Sequence, residues 1–111
     1  MIKSINNDML DELKELMEED FHLLIETYIS DADKRVEQLS DAIASNNSKE
    51  VRELAHSLKG SSSNLGAELL AQLSQVIENK GANDNLTGIK DDYDALQAEY
   101  TVVSDYFKTL V

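Results

Sequence analysis

Cysteine and proline are absent from this 111-residue chain, and glycine occurs only four times. Without cysteine there is no disulfide, no thiolate metal ligand and no thiol nucleophile. The lack of proline and the scarcity of glycine leave few of the turn residues that a many-stranded sheet needs, and suit long helices. Bases are scarce as well: 10 Lys and Arg face 22 Asp and Glu, a formal net charge of −12. Such a surface repels nucleic-acid phosphates and anionic lipid, so neither is an expected partner. No apolar run approaches the roughly 20 residues of a membrane-spanning helix. Met1 to Asp8 also lacks the charged-then-apolar layout of a secretory signal, so a soluble, cytoplasmic protein is expected.

What is present is helical periodicity. The chain is 41% hydrophobic, enough for one core, and its length suits a single domain over residues 1–111. A short amphipathic stretch over residues 7–17 carries Leu10, Leu13, Leu16 and Met17. A second helix opens at the acidic Glu18-Glu19-Asp20, which complements a helix N-terminus. It aligns Phe21, Leu24, Ile25, Tyr28, Ala32, Val36, Leu39 and Ile43 before stopping at Ser45-Asn46-Asn47. A third helix starts with Asn47 or Ser48 as its N-cap, Asn47 and Glu50 having capping-box spacing, with Val51, Leu54, Ala55, Leu58 and Leu65 as its stripe and Gly66 as its stop. A fourth, about 67–80, buries Leu69, Leu70, Leu73, Val76 and Ile77. A glycine- and asparagine-rich loop spans Gly81 to Gly88. The last helix, about 86–110, spaces Ile89, Tyr93, Leu96, Tyr100, Val103, Phe107 and Leu110 as a bundle seam. These elements predict an all-α fold, an antiparallel up-down-up-down four-helix bundle with the short first helix covering one end. A complete seam on every helix favours a monomer.

The third helix breaks its own pattern. Gly60 lies inside it, where glycine costs ~1 kcal/mol relative to alanine. On a wheel of about 100° per residue, Val51, Leu54, Ala55, Leu58, Ser62 and Leu65 share one direction. His56 points away from them and shares its outward face with Lys49, Arg52, Lys59, Gly60 and Ser63. Three bases (Lys49, Arg52, Lys59) outnumber two acids (Glu50, Glu53) over residues 49–66, whereas the segments on either side are strongly acidic. An exposed imidazole in the one locally basic patch suits a definite chemistry. Neutral imidazole is a good nucleophile near pH 7, and it can take an activated phosphoryl group as a phosphoramidate. Lys59, one turn along, pairs with the added charge, and Gly60 leaves room for it. A histidine on a helix surface is more often an ordinary solvated side chain; the conjunction with Lys59 and Gly60 singles this one out. His22 lacks such neighbours and reads as a surface residue. The run Ser61-Ser62-Ser63 lacks the glycines and base of a nucleophile elbow; it reads as small packing residues, with Ser63 positioned to hydrogen-bond near the site.

The stretch His56-Ser57-Leu58-Lys59-Gly60-Ser61-Ser62-Ser63-Asn64-Leu65-Gly66-Ala67 closely resembles the signature of histidine phosphotransfer domains: histidine, two residues, lysine-glycine, small residues, an apolar residue and a second glycine. The weaker pattern from Met9-Leu10-Asp11-Glu12-Leu13 to the terminal helix fits too. The resemblance implies a carrier that shuttles phosphoryl groups between aspartates of receiver domains in hybrid histidine kinases and response regulators. It makes His56 the phosphoacceptor, Lys59 the phosphoryl stabiliser, Gly60 the clearance and Gly66 the helix-terminating glycine. It calls for a polar residue on the following helix to bond the second ring nitrogen, for which Glu78 and Gln75 are candidates. It places a receiver-docking surface on the first helix and the start of the second, at Met9, Leu13, Met17 and Phe21; packing into the bundle end is the alternative for these four. No cofactor or metal is expected on the carrier, with Mg²⁺ belonging to the receiver. Three other readings fit less well. A self-phosphorylating kinase requires a nucleotide loop such as G-x-x-x-x-G-K-[ST], which is missing. A binding-only or metal-binding bundle fits poorly with an intact His-Lys-Gly set and two isolated histidines.

Overall fold

The computed structural model describes residues 2–111, which form five helices and, among these residues, no strand. They are α1 (Asn7–Met17), α2 (Asp20–Ala44), α3 (Ser48–Asn64), α4 (Glu68–Ala82) and α5 (Ile89–Lys108). Short connections force α2 to α5 antiparallel. Each packs on two neighbours, α2 on α3, α3 on α4, α4 on α5 and α5 back on α2, so the four close into a ring around one core. The expected up-down-up-down bundle is therefore present, with α1 lying against α2.

Local chemistry sets the boundaries. Asn46 adopts a left-handed φ of 56°, and the amide of Asn47 reaches back to the Ala42 carbonyl at 2.9 Å, ending α2. Asn47 then caps α3, its Oδ1 accepting the Glu50 amide at 3.2 Å while its Nδ2 donates to Glu50 Oε2. At the far end of α3, Gly66 takes φ 78°. The amides of Gly66 and Ala67 donate to the carbonyls of Ser63 and Ser62, the paired bonds of a Schellman motif. The Gly66 carbonyl also accepts the Asn6 amide at 2.8 Å, tying the N-terminal segment to this turn. An ideal Cβ on Gly66 lies only 3.0 Å from the Asn6 carbonyl oxygen, so the position demands glycine for space as well as for φ.

The core follows the seams read from the sequence. Ile25, Leu39, Val51, Ala55, Leu58, Leu70, Ile77, Leu96, Val103 and Phe107 are fully enclosed. Tyrosines carry polar tips into it. Tyr28 Oη pairs with Ser62 Oγ at 2.8 Å and its ring meets Phe107 edge-on, and burial pushes the Tyr28 phenol up to about 12. Tyr93 donates to the Val36 carbonyl, and Tyr100 to the Ile29 carbonyl and to Asp33, stitching α5 to α2.

Three expectations need correction. Leu16 is 82% exposed; at about 100° per residue it stands ~120° from the buried Leu10, outside the inward face of α1. Val76 is likewise exposed. Gly81 does not open the loop: α4 continues to Ala82, and Gly81 is buried inside it. A Cβ there would sit 2.8 Å from the Arg52 nitrogen and 2.9 Å from the Ser48 oxygen, both backbone atoms of α3. The glycine permits the two backbones to meet, and the turn comes later, at Asp84 with φ 51°. The last helix is correspondingly shorter than the seam suggests, starting at Ile89.

Gly81→Ala gains helix propensity but forces α4 away from α3. Overpacking of this kind costs ~1–3 kcal/mol, so urea unfolding should show a lowered midpoint. An unchanged midpoint would contradict the close-approach account.

Candidate functional site

Burial of Val51, Ala55, Leu58 and Ser62 orients α3 and turns His56 outward. The His56 side chain is 67% exposed. Its Nδ1 lies 2.9 Å from Glu78 Oε2, on the neighbouring α4. The other carboxylate oxygen, Oε1, lies 2.8 Å from Lys59 Nζ. Lys59 also donates to Gln75 Oε1 at 3.0 Å, and Gln75 Nε2 donates to Asn79 Oδ1 at 2.8 Å. Glu78 thus bridges the imidazole and the ammonium, with only 17% of its own side chain exposed.

The electrostatics of this bridge decide which ring nitrogen is available. The hydrogen bond from Lys59 holds the Glu78 carboxyl below the usual carboxylate range, against the opposing effect of burial, and the bond from His56 adds to it. The ion pair therefore persists at neutral pH and is lost only as pH falls through that depressed value. An ionised carboxylate only accepts hydrogen bonds. Nδ1 must then carry the proton, and in the neutral ring the lone pair is on Nε2, which has no hydrogen-bond partner among the described residues.

The surroundings match a small anionic group. An ideal Cβ on Gly60 meets nothing within 4 Å, so the space beside the ring is open. Arg52, one turn before His56, is exposed and has no ion-pair partner among the described residues. Ser63 shares the face but is exposed and makes no hydrogen bond to the site among the described residues. Its neighbours divide differently: Ser62 is buried against Tyr28, and Ser61 bonds back to the Ser57 carbonyl. Gly66 stands at the helix end, a structural position apart from the imidazole. Among the described residues there is no group of three or more His, Asp or Glu placed to hold a metal ion.

Both residues proposed for the second ring nitrogen are used, with separate roles: Glu78 meets His56, and Gln75 meets Lys59. Asn79, which completes the chain of polar contacts, was not singled out in the sequence. Its signal is its spacing of four from Gln75 on the polar face of α4. The docking candidates fare unevenly. Phe21 is 2% exposed and belongs to the core, because the first turn of α2 folds into the end of the bundle; it is not a surface residue. Leu13 and Met17 are half-buried and pack on that core, and Met9 is half-buried. The apolar groups that do face outward in this region are Leu16 and Leu23, the latter 65% exposed.

Comparisons with known proteins bear on the fold and the family. The family model for the Hpt domain matches residues 23–99. The crystal structure of histidine-containing phosphotransfer protein B (HptB) from Pseudomonas aeruginosa PAO1 superposes with a TM-score of 0.93 at 28% sequence identity. That match covers 98% of this chain and 95% of the other. No curated protein matches the sequence at a significant level. The family model covers more than half of the chain and the superposition nearly all of it, and the chain belongs to the histidine phosphotransfer (Hpt) domain family.

Proposed function

We propose that this protein accepts a phosphoryl group on Nε2 of His56 and passes it between receiver-domain aspartates in a multistep relay. The observation that carries the reading is the His56–Glu78 contact, which occupies Nδ1 and leaves Nε2 in solvent. In the forward step Nε2 attacks the phosphorus of an aspartyl phosphate. A P–N bond forms as the P–O bond breaks, and the receiver's carboxylate leaves. Lys59 is close enough to turn from Glu78 toward the incoming oxygens, and the open side at Gly60 admits them. Arg52 extends the positive face, which complements the acidic, Mg²⁺-holding pocket of a receiver. Met9, Leu13 and Met17, with the exposed Leu16 and Leu23, are the apolar groups available for docking.

Family members carry phosphoryl groups rather than generate them. We extend this to the absence of self-phosphorylation, since the sequence has no loop of the form G-x-x-x-x-G-K-[ST] to cradle a nucleotide. We also assign the protein to the cytoplasm as a monomer that needs no metal of its own; none of its described helices is long and apolar enough to cross a membrane.

Transfer from a phosphorylated receiver should label the wild type and leave His56→Gln unlabelled; equal labelling of both would remove His56 from the mechanism. Lys59→Ala should slow transfer while changing stability by no more than ~1 kcal/mol, as expected for an ion pair near the surface. A large fall in Tm with normal transfer would make the lysine structural. Gly60→Ala meets no obstacle in the free protein, so it should raise stability by up to ~1 kcal/mol while transfer falls. Undiminished transfer would discard the clearance role.

A further inference from the structure

We infer that Glu78, acting as a carboxylate, retains the proton on Nδ1 of phosphorylated His56 and thereby makes the phosphohistidine a readily discharged donor. The inference rests on the proposed phosphoacceptor role of His56 and adds what sets the lifetime of the intermediate.

When Nε2 of the Nδ1–H tautomer attacks phosphorus, no proton has to move, and the ring becomes a cationic phosphoimidazolium. Glu78 Oε2, 2.9 Å from Nδ1, is placed to balance that positive charge. A neutral amide at the same position accepts the same hydrogen bond but leaves the charge uncompensated, and the ring then surrenders its Nδ1 proton to water more easily. The difference matters when the P–N bond breaks. The bonding pair returns to the ring, which departs as neutral imidazole if Nδ1 is protonated and as imidazolate if it is not. The first is much the better leaving group. A carboxylate opposite Nδ1 thus favours discharge, and an amide favours storage.

The second oxygen of Glu78 adds a counterweight. In the free protein it holds Lys59 at 2.8 Å. The phosphoryl oxygens compete for that ammonium, and as Lys59 turns to them the full charge of Glu78 is released to the ring. The hydrogen bonds that keep this carboxyl ionised are consistent with the arrangement. The other charged residues of α3 around His56 in the sequence are Lys49, Glu50, Arg52 and Glu53 before it and Lys59 on the turn after it. From α4, Gln75 and Asn79 are uncharged. No charged group of α1, α2 or α5 bonds to the imidazole among the described residues. Glu78 is therefore the one carboxylate in contact with Nδ1 there.

The carboxylate raises the pH at which the phosphorylated ring loses its Nδ1 proton, so removing it moves that loss to lower pH. Phosphoramidate serves as a small-molecule donor to load wild type, Glu78→Gln, Lys59→Ala and the double variant, with His56→Gln as the background. After the donor is removed, decay of the phosphohistidine is followed by phosphorus NMR from about pH 5 to 9, the range over which histidine chemistry changes charge. Glu78→Gln should decay about fivefold more slowly at neutral pH, the factor that an exposed ion pair can supply. Its decay profile should shift to lower pH, and the same ratio should appear in the Lys59→Ala background. Decay identical to wild type, with an unshifted profile, would overturn the inference while leaving His56 as phosphoacceptor. A ratio that vanishes without Lys59 would overturn it too, because Glu78 would then act through the lysine. Failure of the wild type to form phosphohistidine at residue 56 would overturn the proposed function itself.

Discussion

At Gly81 the backbone of α4 passes so close to Ser48 and Arg52 of α3 that no Cβ fits between them, and this approach sets the register of everything above it. One turn further along each antiparallel helix, Glu78 meets His56; one turn beyond that, Gln75 meets Lys59. The three contacts are successive rungs between the same two helices, spaced by the three or four residues of a helical turn. A side chain at position 81 would open the lowest rung and carry the others with it. The buried positions of α3 fix its rotation, and the glycine of α4 fixes how near the polar partners come.

The site is built by leaving things undone. On the outer face of α3 there is no side chain at Gly60 and, among the described residues, neither an ion-pair partner for Arg52 nor a hydrogen bond on Nε2. Near a strongly acidic body such a face is unusual, and it suits the arrival of an anionic group. The network that remains, Asn79 to Gln75 to Lys59 to Glu78 to His56, is short: Gln75, Lys59 and Glu78 are half-buried, and the Asn79 and His56 ends are exposed. Its preorganisation lies in α4, while the reacting atom lies in α3, so the α3–α4 interface is where stability and chemistry are coupled.

Much of this was legible in the sequence. Apolar spacing located all five helices, Gly66 marked the end of α3 and Asn47 or Ser48 its start, and the wheel turned His56 outward with Lys59 and Gly60 beside it. What escaped depended on packing between helices. Gly81 followed by Asn83 and Asn85 reads as a turn, because local signals do not reveal that a glycine is spent on close approach. Leu16 and Val76 match the helical stripe in type but sit at its edge. Phe21 looked equally suited to a docking surface or to the core until the end of the bundle was closed over it. Distance along the chain could not separate Gln75 from Glu78, since either reaches the site until the α3–α4 register is known.

The central claim is that Nε2 of His56, and not another nitrogen, receives the phosphoryl group. It is tested most directly by nitrogen–phosphorus coupling in protein labelled with ¹⁵N in its histidine rings, after transfer from a phosphorylated receiver. Coupling to Nε2 of His56 is the predicted result. Coupling to Nδ1, or phosphate on any other residue, would contradict the account.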